Sequence, residues 1–591
     1  MLIGGQLDVL YERVAQAFEL VESTSGSLAK IDIFAELLKE ADPEEISRLI
    51  ALSVWKLYPD WMEQPEIGIA EKMAVQVIAS AASVSERRVA DKLTETGDIG
   101  STAEALLEGS VQSSLFAEEL TVNSVFQTLD AISKISGQGS NKAKIAKLSG
   151  LLTDAKPIEA KYLLRTVTGR LRLGLASMSI LDALSTAFTG DRDARPELEH
   201  AFNVCSDLGR VASVLANEGL GAVKAIKTRV GTPIRMMAAK KLSDATEILQ
   251  KVERKALVEY KYDGERVQVH KDGDEVVLFS RRQEKITAQY PDVVELVRKN
   301  IKAETCVIEG EIVAVDPSTG KMRPFQELMR RRRKTNIEAM SQEVPVALFF
   351  FDILLLNGED VSSISMLKRR KLLEKIVTSV DRVSLTTGEL TEDPDRLDAI
   401  FMEAHNSGYE GVIAKAVHEK SGYQAGSRSW LWIKLKASYK DGMSDSVDLV
   451  IVGAIHGRGK RTGLYGAILA SAYDEETDTF PTVCKIGTGF TDEMLEEFKS
   501  RLETHVLERR NPKVLSDVKA DVWFEPVEVI EVLGDELTVS PTHLAGKDRM
   551  GRGGLAIRFP RFTGKWREDK SAKQATTVGE LIESFERQRG S

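Results

Sequence analysis

Over residues 1 to about 228, apolar side chains recur at three- and four-residue spacing, as in Val9, Leu10, Val14, Phe18 and Val21. That is the period of helices with one buried face. Pro43, Pro59, Pro65 and Pro157 are sparse breakers, and no fixed-period repeat is visible. The spacing therefore predicts an all-helical region. At 228–234 the character changes, in a stretch that reads as a linker. Beyond it, residues 258–261, 266–270 and 275–280 are short strand-like runs, with Asp272 and Gly273 expected to form the hairpin turn between the last two. Residues 346–356 form a continuous apolar run suited to a buried central strand. A second change comes at 438–446. After it, 447–455, 466–473 and 522–532 predict strands of a small β-rich domain, and a helical pattern surrounds Leu581, Ile582 and Phe585.

The pattern predicts a multidomain α+β protein: an all-α domain over 1–229, an α+β domain over 230–437, and a β-barrel domain with a C-terminal helix over 438–591. A length of 591 residues suits three domains. Hydrophobic residues make up 42% and charged residues 29%, an ordinary globular mix that excludes disordered and collagen-like chains. Cys205, Cys306 and Cys484 lie far apart and form no CxxC pair, so neither a zinc module nor a disulfide framework is expected. The run at 346–356 contains Asp352 and is too short to span a bilayer. The N-terminus lacks a basic segment followed by an apolar stretch. A cytoplasmic protein without membrane contact is expected.

The sharpest local signal is the segment 259–266. It puts Lys261 at a strand end, Asp263 and Gly264 in a turn, and Arg266 at the start of the next strand. Alone, it equally describes a charged surface hairpin. Downstream, Glu309 and Glu311 put two carboxylates on one side of a strand, and Phe351 sits in an aromatic strand. Glu410 with Gly411 and Lys415, then Trp432 with Lys434 and Lys436, then Arg567 with Asp569 and Lys570 follow in order. Chance does not produce such an ordered series.

The order KxDGxR, EGE, aromatic strand, EGxxxK, WxKxK, RxDK resembles that of the covalent nucleotidyltransferases. With its long helical N-terminal region, the chain resembles the archaeal-type, ATP-dependent DNA ligases over essentially its whole length. Stretches 323–334 and 558–562 share the likeness. The resemblance implies that Lys261 attacks the α-phosphorus of ATP, that AMP passes to the 5′-phosphate of a nick in double-stranded DNA, and that the 3′-hydroxyl then displaces AMP, in replication, repair and recombination. By matched position, Glu259 would recognise adenine and Phe351 would stack on it. Arg266 would sit near the sugar and nick phosphate, and Arg281 near the ribose or nick phosphates. Glu311 would accept a ribose hydroxyl or approach a metal, and Glu410 would hold magnesium or manganese. Arg428, Lys434 and Lys436 would contact the nucleotide. Arg567 and Lys570 would reach the outer phosphates only in a closed state, distinct from an open state that engages DNA. The β-rich domain would be an OB-fold and the protein a monomer. An RNA ligase, a capping enzyme or a non-catalytic DNA-binding scaffold are the competing readings. The Arg330–Lys334 run is read equally as phosphate-binding or as a solvated face.

The net charge of -10, from 80 Lys+Arg and 90 Asp+Glu, argues as a total against DNA. By region it does not: residues 1–133 carry nine basic and 23 acidic side chains, while 134–174 carry nine basic and two acidic. Lys142, Lys144, Arg170 and Arg172 are the candidate DNA contacts, made to phosphates without reading sequence. A solvated helix face is the alternative. The acidic first part is expected to face away from the duplex or toward a protein partner. Gln112, Leu115 and Phe116 resemble the short motif by which replication proteins dock on sliding clamps, with only one aromatic.

Overall fold

The computed structural model describes residues 8–108, 119–332, 337–436, 446–551 and 553–589. The chain forms two compact units, one of Met1–Leu93 with Ile99–Leu435 and the other of Thr94–Asp98 with Lys436–Ser591. No helix among the described residues is long and apolar enough to cross a membrane.

The first part of the larger unit is helical from Tyr11 to Lys224. Its helices share one apolar core running from Val9 to Ile226. Helix Tyr11–Ser23 buries Tyr11, Val14, Ala15, Ala17, Phe18 and Val21, the stripe its spacing predicts. Several of the region's charges partner one another. Lys161 pairs with Glu19 at 2.5 Å and Arg165 with Glu22 at 2.6 Å, while Lys156 pairs with Glu12 and Arg170 with Glu71. Part of the acidic excess of residues 1–133 therefore neutralises the basic stretch from within. For Lys161 and Arg165 the reason is electrostatic: both are buried in helix Pro157–Val167, and a buried cation needs a carboxylate beside it.

The linker at 228–234 is not a free tether. Thr228, Thr232 and Ile234 are buried. Ser206 Oγ donates to Pro233 O at 2.6 Å, and Arg235 N donates to Asn203 O at 2.8 Å. Lys285 adds an ion pair to Glu63 at 2.9 Å.

Two sheets follow. Strands Ala238–Lys241 (β1), Ala256–Lys261 (β2), Glu265–Asp272 (β3), Glu275–Ser280 (β4), Thr305–Ala314 (β5), Val346–Leu356 (β6), Glu359–Asp360 (β7), Val383–Leu385 (β8), Gly388–Thr391 (β9), Gly411–Ala416 (β10) and Arg428–Lys436 (β11) carry them. The first sheet runs β1-β11-β10-β2-β9. The second runs β4-β3-β5-β6-β7, with β8 on β6. The turn after Lys261 carries the chain from one sheet into the other. The hairpin between β3 and β4 differs by one residue from expectation. Asp272 pairs with Glu275, so Gly273 and Asp274 form the loop, and Gly273 takes the φ of 54° such a tight turn requires.

Strand β6 is the buried apolar run. Its one charge, Asp352, meets Arg369 at 2.7 Å, and both side chains are 0% exposed. Arg369 also donates to the carbonyls of Ile364 at 2.5 Å and Ser421 at 3.1 Å, and thereby ties β6 to the segments at 362–366 and 421.

The second unit is strand-rich. Val447–His456 (β12) pairs with Tyr465–Ser471 (β13), which pairs with Phe480–Ile486 (β14), in the half-barrel of an eight-stranded sheet. The single strand expected at 522–532 is two. Val522–Phe524 pairs with Gly453 and Ala454, and Val529–Leu533 pairs with Val447 to Val450. Pro526 lies between them and has no N–H to offer a ladder. Helix Val578–Arg589 packs Val578, Leu581 and Phe585 into the barrel core.

Removing one partner of the Asp352–Arg369 pair leaves a buried charge uncompensated. Arg369→Met or Asp352→Asn alone is expected to destabilise the fold by about 3–5 kcal/mol, and Asp352→Leu with Arg369→Met together by much less. Calorimetric unfolding of the three variants checks this.

Candidate active site

A cavity of about 160 Å³ opens between the two sheets. Glu259 and Lys261 reach it from β2, Ile413 and Lys415 from β10, Trp432 and Lys434 from β11. Arg266 on β3, Glu311 on β5 and Phe351 on β6 close the other side, with Arg281 and Arg428 also lining it. Eight residues read from sequence as nucleotide contacts therefore line one cavity: Glu259, Lys261, Arg266, Arg281, Glu311, Phe351, Arg428 and Lys434.

Strand register explains the convergence. β2 and β10 pair with Lys261 opposite Gly411, and Glu410 N donates to Lys261 O at 3.0 Å. That sets the Glu410 carboxylate against the Lys261 ammonium in an ion pair. Tyr260 and Tyr262 pack on Tyr409, with ring centroids 4.7 and 5.0 Å apart, and brace the same corner. Gly264 is required by close approach: a Cβ there would lie 2.2 Å from Ile312 O and 2.9 Å from Glu311 Cγ. Asp263 shapes the turn by accepting from Phe325 N at 3.1 Å.

Burial lowers the basicity of Lys261, Arg281 and Arg266 add to that, and Glu311 and Asp263 oppose it. The balance favours a neutral amine more than water does. Lys434 is shifted the same way, by burial and then by the charges of Lys261, Arg428 and Arg281. Burial pushes the Glu311 carboxyl up to about 7 against the pull of Lys261 and Arg266. A cavity that lowers cations and raises a carboxyl at once suits a polyanion accompanied by a cation.

Glu259 is buried, with one oxygen 2.8 Å from Arg370 and the other 2.6 Å from Lys415. Each oxygen keeps a lone pair for a further donor. Lys415 also donates to Phe351 O at 3.1 Å and stands 4.7 Å from the Phe351 and Trp432 ring centroids. Arg266 donates to Met237 O at 2.6 Å and to Glu309 at 2.7 Å. Its buried Nε has no partner among the described residues.

Other residues fall elsewhere. Lys436 ends β11 and does not line the cavity. In the second unit, Arg567 and Lys570 both bind Asp448, at 2.5 and 2.6 Å, and Arg567 also binds Asp569. Lys142 and Arg172 are exposed; Lys144 is buried and donates to Ile67 O at 2.8 Å; Arg170 is paired with Glu71. In the basic run, Arg331 is buried against Asp292 at 2.6 Å and Arg330 pairs with Glu327 and Glu343; Lys334 lies outside the described residues. Gln112, Leu115 and Phe116 also lie outside them.

Lys415 and Trp432 were legible as motif residues but without an assigned role, and Gln268 and Tyr423, which hold Glu309 behind the cavity, were missed. Lys415 carried a signal, being a lone lysine in an otherwise apolar strand. So did Gln268, which alternates with Arg266 and His270 on β3 while Val267 and Val269 face the core. Tyr423, in a loop, carried none.

Three stretches match known families: residues 10–185 the DNA ligase N terminus, 236–436 the ATP dependent DNA ligase domain, and 461–570 the ATP dependent DNA ligase C terminal region. The chain is 48% identical to DNA ligase 2 of Thermofilum pendens, covering 99% of each. It is 46% identical to the DNA ligase of Aeropyrum pernix, covering 98% of each, and 45% identical to that of Hyperthermus butylicus, covering 97% of each. A solved structure titled Pmar-Lig_PreS3 shares the fold, with a TM-score of 0.55 at 17% identity over 94% of this chain and 99% of that one. With near-complete coverage by these relatives and a lysine-centred cavity in the matching domain, the chain belongs to the ATP-dependent DNA ligase family.

Proposed function

We propose that this ligase seals nicks in duplex DNA through a phosphoramidate on Lys261. The observation that carries the reading is the setting of Lys261: a partly buried amine with lowered basicity, among the cations Arg266, Arg281 and Lys434, in a cavity walled by Phe351 and Glu259. Lys261 Nζ attacks the α-phosphorus of ATP. The N–P bond forms as the bond to the pyrophosphate oxygen breaks. Lys434, Arg281 and Arg428 neutralise the phosphates, and phosphoryl transfer needs little beyond such positioning and charge. Phe351 and Trp432 offer aromatic surface to the base, and Glu259 accepts from its amino group. Arg266 donates its remaining Nε–H to the sugar or phosphate. A 5′-phosphate oxygen of the nick then takes the AMP from Lys261, and the 3′-hydroxyl finally attacks that 5′-phosphorus, with AMP leaving.

Glu311 and Glu410 suit a divalent ion. Both carboxylates adjoin Lys261, and the raised Glu311 carboxyl would be relieved by a cation. No group of three or more His, Cys, Asp or Glu side chains is placed to hold a metal among the described residues. Magnesium or manganese would therefore rest on these carboxylates and on phosphate oxygens, as magnesium commonly does. Bound there, it would offset phosphate charge. In the second unit, Asp448 holds Arg567 and Lys570 side by side, as a pair suited to pyrophosphate. In the helical region, Lys142 and Arg172 are candidates for DNA phosphates because they are exposed, whereas Lys144 is buried and donates to the Ile67 carbonyl. Docking on a sliding clamp through residues 112–116 belongs to the same reading, as does action as a monomer.

Incubation with α-labelled ATP and magnesium should leave label on the wild-type chain and none on Lys261→Ala, which should also fail to seal a nicked duplex. Label on Lys261→Ala would overturn the assignment. Gly264→Ala forces a methyl into the backbone of β5 beside Glu311. It should slow single-turnover self-adenylation about tenfold or more, on the scale that displacing a reacting group costs, with the far-ultraviolet spectrum unchanged.

A further inference from the structure

Strand β3 has two faces. Val267 and Val269 enter the apolar core, while Arg266, Gln268 and His270 form a polar stripe on the other side. Gln268 and His270 are 0% exposed, which is unusual for an amide and an imidazole unless every polar atom is matched. Gln268 meets that condition. Its Oε1 accepts from Ile234 N at 2.8 Å and from His270 Nε2 at 2.9 Å. Its Nε2 donates to Ile234 O and to Glu309 Oε1, both at 3.1 Å. His270 Nδ1 accepts from Gly231 N at 3.1 Å, which fixes the tautomer with the proton on Nε2. Burial pushes the imidazole down to about 3, in keeping with a neutral ring. With both carboxamide ends committed, the Gln268 side chain has one orientation.

The network leads in two directions. Toward the helical region, Gln268 and His270 clasp Gly231 and Ile234, and Ser206 holds Pro233 between them. Toward the cavity, Glu309 accepts from Gln268, from Tyr423 and from Arg266, and Tyr423 Oη accepts from Met237 N at 2.7 Å. Residues Ala238 and Ala239, directly after, form one cavity wall. The linker leaving the helices and the arginine facing the nucleotide are thus held through one carboxamide.

We propose that Gln268 is a positioning residue for nucleotide binding: through Glu309 it sets the Arg266 guanidinium, and through Ile234 it sets the wall at Ala238 and Ala239. The inference rests on the reading of the cavity as the ATP site. Gln268 touches no substrate itself. Its loss leaves Glu309 Oε1 with Tyr423 alone and frees both main-chain groups of Ile234, so the Glu309 carboxylate that aims the Arg266 guanidinium is less firmly held.

The test is single-turnover self-adenylation of the full chain over a range of ATP concentrations, with magnesium, alongside the melting temperature. Gln268→Met keeps the volume and removes all four hydrogen bonds. It should raise the KM for ATP about tenfold, the scale of a disrupted buried polar network, and leave the rate at saturating ATP within about threefold. In an Arg266→Lys background, where one ammonium cannot span the same acceptors, adding Gln268→Met should shift KM by less than about twofold, since residues acting as a unit are not additive. An unchanged KM, or the same shift in both backgrounds, overturns the proposal. If Gln268→Met does not fold, Gln268→Glu decides by the same criteria, because it keeps the acceptor for Ile234 N and loses the donors to Ile234 O and Glu309. A wild-type chain that takes no label overturns the reading of the site and the proposal with it. A labelled wild type with an unmoved variant overturns the proposal alone.

Discussion

Taking a charge out of water costs several kcal/mol unless an opposite charge goes with it, and the nucleotide cavity is built under that constraint. Three of its cations each have a carboxylate beside them. Lys415 has Glu259, Arg266 has Glu309, and Lys261 has Glu410. The carboxylates Glu259 and Glu309 are themselves buried, so each pair is locked by the cost of separating it. Arg281, Arg428 and Lys434 are different. They form no ion pair among the described residues, and their mutual repulsion helps to lower Lys434 and Arg281. Three of these cations are neutralised by the protein and three are not. On the proposed reading, that division leaves room for a phosphate chain and lets Lys261 be both anchored and reactive.

The same constraint governs the helical region. Its acidic excess and its basic stretch are distant in sequence but adjacent in space, and they discharge one another through Glu12, Glu19, Glu22 and Glu71. What remains positive at the surface, Lys142 among it, is smaller than the regional count implies. Net charge is a property of composition, whereas attraction for a phosphate backbone depends on the cations left exposed.

The second unit shows the pattern at smaller scale. Asp448 brings Arg567 and Lys570 together at one carboxylate, and Val529–Leu533 pairs with Arg561–Trp566 to carry that segment on the barrel. The RxDK cations are prepared as a pair by the barrel itself.

Sequence alone determined the elements and the chemistry that reads locally. Helical spacing from Val9 onward, the strand at 346–356, and the ordered lysine, carboxylate and arginine motifs each lie within a few residues of chain, where backbone period and residue type act directly. It also placed Lys261 beside an Asp-Gly turn, because turn chemistry is local. Only tertiary structure decided which charges were partners. Lys415 meeting Glu259, Arg266 meeting Glu309 rather than Glu311 alone, and Lys144 spent on a carbonyl depend on strand register and helix packing across long separations. The division of 522–532 into two strands had the same origin, since each half took a different stretch of β12 as partner. A Coulombic pair or a ladder hydrogen bond is set by distance in space, and the spacing of residues along the chain carries that distance only within a single helix, strand or turn.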